Sequence, residues 1–434
     1  MDIFRDAWIP TDTGILSPAD ALSQASRAAW PRGDWNAATL MLLHAMVQTA
    51  VVINDRCPDS DTWLDFMEAP PKNLHEWFDG LDAGPMAWQC PTAKGDVPVA
   101  AILPETPGEN ALKKASDIMR WRQDAPASMS IPEAQIAIIS DNFWGIPGGR
   151  GHREGCRGRR PMTTMIEPEA LGATLWERVW LNVFPKQWWD VRYRSGAPFT
   201  FPWLKQLPTG EVTPGNAHSL EMLWQMPRRW RMVIDADERV TTLVLQDGGR
   251  NYVGWEHPLS GFFLTADKRW VETKINPHIG FRDWASIAAG LNEKARQPAV
   301  VARYIQNRLW RGKPIRLRCF GWALGDADAV GAWVDLVVPL YVDIDHIELE
   351  QAIAMAEKVR TNLAGRLKGI AKHLANDAIR LYQTMEPEFY RRVAATDWDG
   401  WEMALRRQAR EILWEIATLH RHDMYATAKA VAAL

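Results

Sequence analysis

"DIDHIELEQAIAMAEKV", residues 343–359, marks the point where the chain changes character. From about Asp345 onward the pattern is helical, over 346–383 and again over 398–433, and Pro387 is expected to break the connection between the two. Upstream, residues 196–342 read as short strands, among them "RWRMVID", "VTTLVLQ" and "IRLRCFGWAL", with turn signals such as Asp247-Gly248-Gly249 between them. The contrast sets the fold class: a mixed α/β (α+β) body of short strands and helices over 1–342, then a C-terminal helical bundle over 343–434.

Further back, "IFRDAWIPT" followed by "DTGILSPADAL" predicts strand, turn, short strand and a helix capped at Ser17. Asp34 is expected to cap an apolar helix over Ala37–Ile53. "IPEAQIAIISDNF" predicts a helix, and "LGATLWERVWLNVF" a second amphipathic one with Leu175, Val179 and Val183 on one face. Between these two lies "GIPGGRGHREGCRGRRPMTT", residues 145–164. From Gly148 to Arg160 it holds five glycines and five arginines but one acid, Glu154. Glycine permits close backbone approach and arginine supplies permanent planar donors, so the loop is suited to an anionic partner. Two further basic clusters point the same way: "MPRRWRM", with Arg228, Arg229 and Arg231, and "RLWRGKPIRLR", from Arg308 to Arg318. Both the loop and the clusters also fit a solvated connector or charges that protect sheet edges.

The chain as a whole is not basic. It has 434 residues, 47% of them hydrophobic, and a formal net charge of −3, which excludes a generic nucleic-acid coat and leaves only local contacts. The N-terminus has no basic and apolar regions of a signal peptide, and "ATLMLLHAMVQTAVVI" is too short and too polar, at His44 and Gln48, to predict a membrane span. Cys57, Cys90, Cys156 and Cys319 form no CxxC pair, which fits a reducing cytoplasm and argues against a zinc ribbon. Tryptophan is abundant, with 24 copies, and is expected mainly in aromatic cores with a remainder at interfaces.

Catalytic signatures are sparse. The glycine loop does not match G-x-x-x-x-G-K-[ST], and Gly149-x-Gly151 lacks the third glycine of a dinucleotide fingerprint, so no cofactor is predicted. His44 sits within an apolar helix, as a satisfied core histidine does. No serine or cysteine lies in a nucleophile elbow. Two acid–histidine clusters remain as metal candidates, "DIDH" at Asp343–His346 and "HRHD" at His420–Asp423. Helix caps explain the first as well, and His420 and His422 point to different helix faces.

The motifs together resemble the large subunit of the type I-E CRISPR Cascade surveillance complex, the CasA family. The opening "DAWIPT…G…LSPADAL", "LLHAMVQ", the glycine loop with "RPMTTMI", "ATLWERVWLNV", "LEMLWQMPRRWRM" and "CFGWALGDADAV" follow in that family's order, from Asp6 to the terminal helices. The resemblance implies a non-enzymatic subunit, partnered by the other Cascade subunits and a guide RNA. It implies that the subunit reads the protospacer-adjacent motif on double-stranded DNA, promotes duplex opening and docks the helicase–nuclease. Carried over, the motif-sensing loop falls on Gly148, Gly149, Arg150, Gly151, Arg153 and Arg157, with minor-groove readout by the glycines. The wedge hairpin falls on Leu324, Gly325, Asp326 and Ala327, where Asp326 replaces the amide that the family often carries. The loop toward the guide and neighbouring subunits falls on Trp121, Arg122, Gln123 and Asp124, and Lys268 is the candidate for a further DNA contact. The cysteine-bound zinc of some members is absent, and the bundle is short for the family. Two readings from other classes stay open: a metal-dependent nuclease or hydrolase using Asp343, Asp345 and His346, and an interaction scaffold without nucleic acid.

Overall fold

The first thirty residues fold as their turn and cap residues direct. In the computed structural model, which describes residues 1–54, 56, 63, 65–82, 84, 86–106, 125–146, 152–170, 172–205, 210–246, 249–276, 280–290, 294–307, 309, 314–324, 330–341, 343–420 and 424–432, strand β1 (Ile9–Thr11) pairs antiparallel with β2 (Gly14–Leu16). Helix α1 (Pro18–Gln24) starts at Ser17, whose hydroxyl accepts the Asp20 amide at 3.3 Å.

Helix α2 (Gly33–Ile53) begins earlier than its apolar run predicts. Arg32 occupies the cap position, and its side chain makes no capping bond. Asp34, the expected cap, lies in the first turn instead, buried and held by Arg32 Nε at 3.0 Å and the Ser140 hydroxyl at 3.2 Å. Burial pushes the Asp34 carboxyl up, with Arg32 opposing it. By length and composition α2 is also apolar enough to cross a membrane, which the shorter run did not suggest, yet 89% of its apolar window is buried inside the protein. Two of its buried polar side chains bond to backbone of the segment 182–184, although His44 Nδ1 has no partner among the described residues. Gln48 donates to the Phe184 carbonyl at 2.9 Å and accepts the Phe184 amide at 2.7 Å, and His44 Nε2 donates to the Asn182 carbonyl at 2.9 Å.

Helix α3 (Ile131–Trp144) opens with a capping box between Ser130 and Glu133. Strand β3 (Thr163–Pro168) follows, then helix α4 (Leu175–Trp180), with a second capping box between Thr174 and Glu177. The α4 helix is shorter than its periodicity predicts, so buried Val183 lies in the turns after it. Strands β4 (Trp230–Ile234) and β5 (Arg239–Leu245) pair antiparallel in a four-stranded sheet. Strands β6 (Ile315–Leu324) and β7 (Val330–Pro339) form a hairpin. Strand β6 runs antiparallel to β3, with Ile315 opposite Pro168 and Phe320 opposite Thr163, which gives the sheet order β7-β6-β3.

The chain divides into two units. The first comprises Met1–Ser260, Val271–Ile275 and Pro298–Val337. Tryptophan dominates its core: Trp176 stacks on Trp180 at 5.0 Å, and Trp88 packs between Trp203 and Trp224. The second comprises Gly261–Trp270, Asn276–Gln297 and Val338–Leu434, so it recruits two segments that a single break at 342–343 assigns to the body. Its helices are α5 (His346–Ile370), α6 (Arg380–Ala395), α7 (Trp401–Leu419) and α8 (Met424–Ala432). The recruited helix Phe281–Ala288 explains the discontinuity. Phe281 stacks on Phe389 of α6 at 4.2 Å, and Trp284 donates from Nε1 to the Pro339 carbonyl at 2.7 Å.

Pro387 does not break the helical region. It sits inside α6, and the connection to α7 falls at residues 396–400, with Thr396 and Gly400 both left-handed; a further break lies at Ala371, whose backbone is extended. A proline removes one hydrogen bond from a helix, and the buried face of Leu381, Met385, Phe389 and Val393 holds α6 together regardless.

Candidate nucleic-acid interface

The Gly/Arg loop leaves α3 at Gly145 and enters β3 at Thr163. Gly148, Gly149, Arg150 and Gly151 lie outside the described residues, but both of their flanks are described, and one side chain joins them. Arg228 donates from Nη2 to the Ile146 carbonyl at 2.6 Å and from Nε to the Arg153 carbonyl at 3.2 Å. Its Nη1 is paired with Asp141 Oδ1 at 2.5 Å, and Trp230 Nε1 donates to Asp141 Oδ2 at 2.7 Å. Arg228 and Asp141 are both buried, so each neutralises the other where an unpaired charge would be costly. Gly145 makes the clamp sterically allowed: a Cβ there would lie 2.4 Å from the Arg228 guanidinium.

This corrects the view of "MPRRWRM" as an exposed basic patch. Arg228 and Arg229 are buried, and Arg231 donates to the Ala93 carbonyl at 3.3 Å. The second basic cluster is also committed within the protein. Arg316 pairs with Glu169, and Arg318 forks onto Asp335 at 2.8 and 2.7 Å. Arg308 and Arg311 lie outside the described residues. A sequence does not show which strand-borne arginines face a carboxylate.

The arginines of the loop separate into distinct roles. Arg153 is exposed. Arg159 is exposed too and pairs with Glu154 at 2.5 Å. Arg157, expected at the DNA, is instead 1% exposed. It donates from Nη1 to the Thr163 hydroxyl, and its guanidinium lies 5.7 Å over the Trp144 ring. Burial pulls its pKa down to about 10, and no phosphate can reach it in this position. Arg157 is an internal brace. The neighbouring Cys156 thiol is buried and pushed up to about 12, which leaves it unreactive.

Nearby, burial raises Glu272 to about 7, opposed in part by the Arg157 charge. Burial, then the Arg228 charge, lowers His152, whose ring meets Trp230 edge-on at 6.1 Å.

Leu324, the last residue of β6, is buried, and its carbonyl accepts Arg160 Nη1 at 3.3 Å. Gly325, Asp326 and Ala327 lie outside the described residues, as do Trp121, Arg122, Gln123 and Asp124. Lys268 belongs to the second unit, exposed in a turn with φ of 61°, where its amide donates to the Thr265 carbonyl at 2.9 Å.

The candidate metal cluster at the start of α5 has a different use. Asp345 caps the helix, with Oδ1 accepting the amides of Ile347 at 2.9 Å and Glu348 at 3.0 Å. His346 is the first helical residue, and Asp343 precedes the cap. Among the described residues no group of three or more His, Cys, Asp or Glu is arranged to hold a metal ion. His422 and Asp423 of the other cluster lie outside the described residues.

The family model of the CRISPR-associated protein Cse1 matches residues 2–419. The chain belongs to the Cse1 family. Its fold agrees with this over its whole length. Thermus thermophilus CasA (Cse1) superposes with a TM-score of 0.73 at 17% identity, covering 100% of this chain and 97% of that one. Thermobifida fusca Cse1 gives 0.71 at 16% identity, covering 100% and 97%. A chain of a structure described as a CRISPR RNA-guided surveillance complex gives 0.72 at 15% identity, covering 100% and 98%. No curated protein sequence matches. The fold shared with these relatives is the one in hand: helices and short strands in several small sheets, with a helical C-terminal region.

Proposed function

We propose that this Cse1-family chain is the DNA-motif-sensing large subunit of a CRISPR RNA-guided surveillance complex. It works without catalysing a reaction, in the cytoplasm, beside the other Cascade subunits and a guide RNA. It contacts the protospacer-adjacent motif in double-stranded target DNA, promotes R-loop formation and docks the recruited helicase–nuclease. Family membership over residues 2–419 and the fold likeness to a chain of such a complex support the assembly. The observation that carries the DNA role is the clamp. A loop of glycine and arginine is fixed at Ile146 and Arg153 by a buried Arg228–Asp141 pair, and Arg153 remains exposed beside it. Anchored flanks lower the entropic cost of bringing a loop to a groove, which suits a module that reads a short duplex motif while base pairing reads the rest. Gly149 and Gly151 are the groove-approaching residues in this proposal, flanking Arg150, while Gly325–Ala327 form the wedge and Trp121–Asp124 face the guide.

The hydrolase alternative loses its central residue, since the Asp345 carboxylate caps α5. The deciding experiment assembles the chain with the products of neighbouring genes and any bound RNA, then titrates salt on duplexes with matched and mismatched motifs. Discrimination between motifs by the assembled complex supports the proposal. Equal binding to both overturns it.

A further inference from the structure

Two segments of the first unit, 164 residues apart, meet at one guanidinium. Arg160 closes the Gly/Arg loop, and Leu324 is the residue from which the β6–β7 hairpin starts its turn. Arg160 Nη1 donates to the Leu324 carbonyl at 3.3 Å. The Arg160 backbone is left-handed, with φ of 54°, a conformation that is strained for a non-glycine residue and persists only where the surroundings enforce it. They do so here. The Arg160 carbonyl accepts the Ile275 amide at 2.9 Å, Pro161 bridges to Lys274, and the Met162 amide donates to the Thr273 carbonyl at 3.0 Å.

The strand beneath is equally close. Gly321 lies three residues before Leu324 on β6, and a Cβ there would sit 2.6 Å from the Pro161 carbonyl oxygen. At the other end of the loop Trp144 packs edge-on against Phe320 of β6 at 5.8 Å and Trp333 of β7 at 5.2 Å. Both ends of the loop therefore rest on the hairpin strands. Packed backbone of this kind transmits a shift rather than absorbing it.

We infer that Arg160 is a positioning residue that couples the loop to the hairpin. Seating of the loop on its anionic target is passed through Arg160 to the root of the hairpin, which then separates the strands. Arg160 itself does not contact DNA, although it belongs to the cationic loop. This rests on the proposed DNA role and adds the route by which recognition leads to opening.

The test uses assembled, guide-loaded complexes carrying Arg160→Ala, Arg160→Gly or Arg160→Lys. Duplex association is measured on matched and mismatched motifs across a salt titration. Strand opening per bound duplex is measured by permanganate reactivity of unpaired thymines. Arg160→Ala is expected to keep native motif discrimination and salt slope while opening per bound duplex falls roughly tenfold. Arg160→Gly, which relieves the left-handed strain, is expected to fall as far, so a drop caused only by misfolding is recognised by its absence in this variant. Arg160→Lys keeps a donor and is expected to recover part of the opening.

A complex lacking Leu324–Asp328 distinguishes the two levels of failure. If that deletion abolishes opening while Arg160→Ala leaves it intact, the coupling is wrong and the hairpin role stands. If opening survives the deletion, the hairpin role fails and the coupling with it. If Arg160→Ala lowers the salt slope by about 0.9, Arg160 is a phosphate contact and the coupling is wrong.

Discussion

Arg153 and Arg157 are four residues apart in one cationic loop and act in opposite ways. Arg157 is internal, so Arg157→Ala removes the Thr163 hydrogen bond and the packing on Trp144 and leaves a void, with an expected loss of about 2–4 kcal/mol. Thermal unfolding checks this, and the salt slope of DNA binding by the surviving complex should be unchanged. Arg153→Ala should do the reverse: unchanged unfolding, and a slope smaller by about 0.9 if one phosphate contact is lost.

Glu272, a half-buried acid within reach of the Arg157 charge, predicts a pH signature. Glu272 titrates near 7 when folded, above its ordinary carboxylate value, so the native state binds the extra proton. Its contribution is fully present below the unfolded pKa and is lost as pH rises through about 7. His44 works in the other direction. Burial lowers it to about 4, so its contribution is present above its ordinary value and is lost as pH falls toward 4. Glu272→Gln removes only the first effect, and should therefore raise the unfolding temperature relative to the native chain more at pH 8 than at pH 5. An equal shift at both pH values would exclude titration of Glu272 as the cause.

Elements define the site through their ends. The loop begins where α3 stops, at Gly145, and its two flanks are joined by an arginine from β4's approach rather than by local hydrogen bonds. Two classes of variant should therefore separate. Valine at Gly149 or Gly151 should abolish motif discrimination and spare non-specific binding, because bulk blocks groove approach while the charge remains. Arg228→Ala should act earlier, by destabilising the protein about 3–5 kcal/mol through an unpaired buried Asp141. Motif-dependent affinities for the glycine variants and chemical unfolding for Arg228→Ala provide the measurements. Loss of all DNA binding in the glycine variants would show that the loop supplies charge and not groove contact.

At the scale of the whole molecule, the net charge of −3 gives no overall attraction to DNA, and Arg157 and Arg228 are buried while Arg316 and Arg318 are paired with Glu169 and Asp335. The isolated chain should bind duplex DNA weakly, with little sequence preference and strong salt sensitivity, and gain specificity on assembly. Tight motif-specific binding by the lone protein at physiological salt would contradict this. The lone chain should also leave DNA intact in Mg²⁺ or Mn²⁺, and nicking that disappears in Asp343→Ala would restore the hydrolase reading.

Local chemistry by itself determined a large part of this architecture. Ser17 announces a helix start because a cap needs only a hydroxyl and an amide three residues on, and Ser130 and Thr174 turn out to cap by the same local chemistry. The change to helical periodicity after Asp345 is equally local, as is the glycine–arginine composition of the loop. What required the tertiary structure was every question of partnership. Whether Asp34 caps or pairs, whether Pro387 breaks a helix, and whether an arginine faces solvent depend on residues brought close from elsewhere in the chain. Arg157 and Arg153 have the same side chain and lie four residues apart in one loop, yet burial against Trp144 and Thr163 makes one a brace and leaves the other exposed. Charge is encoded by residue type; its exposure is set by packing, whose partners lie at no fixed spacing and leave no periodic trace in the sequence.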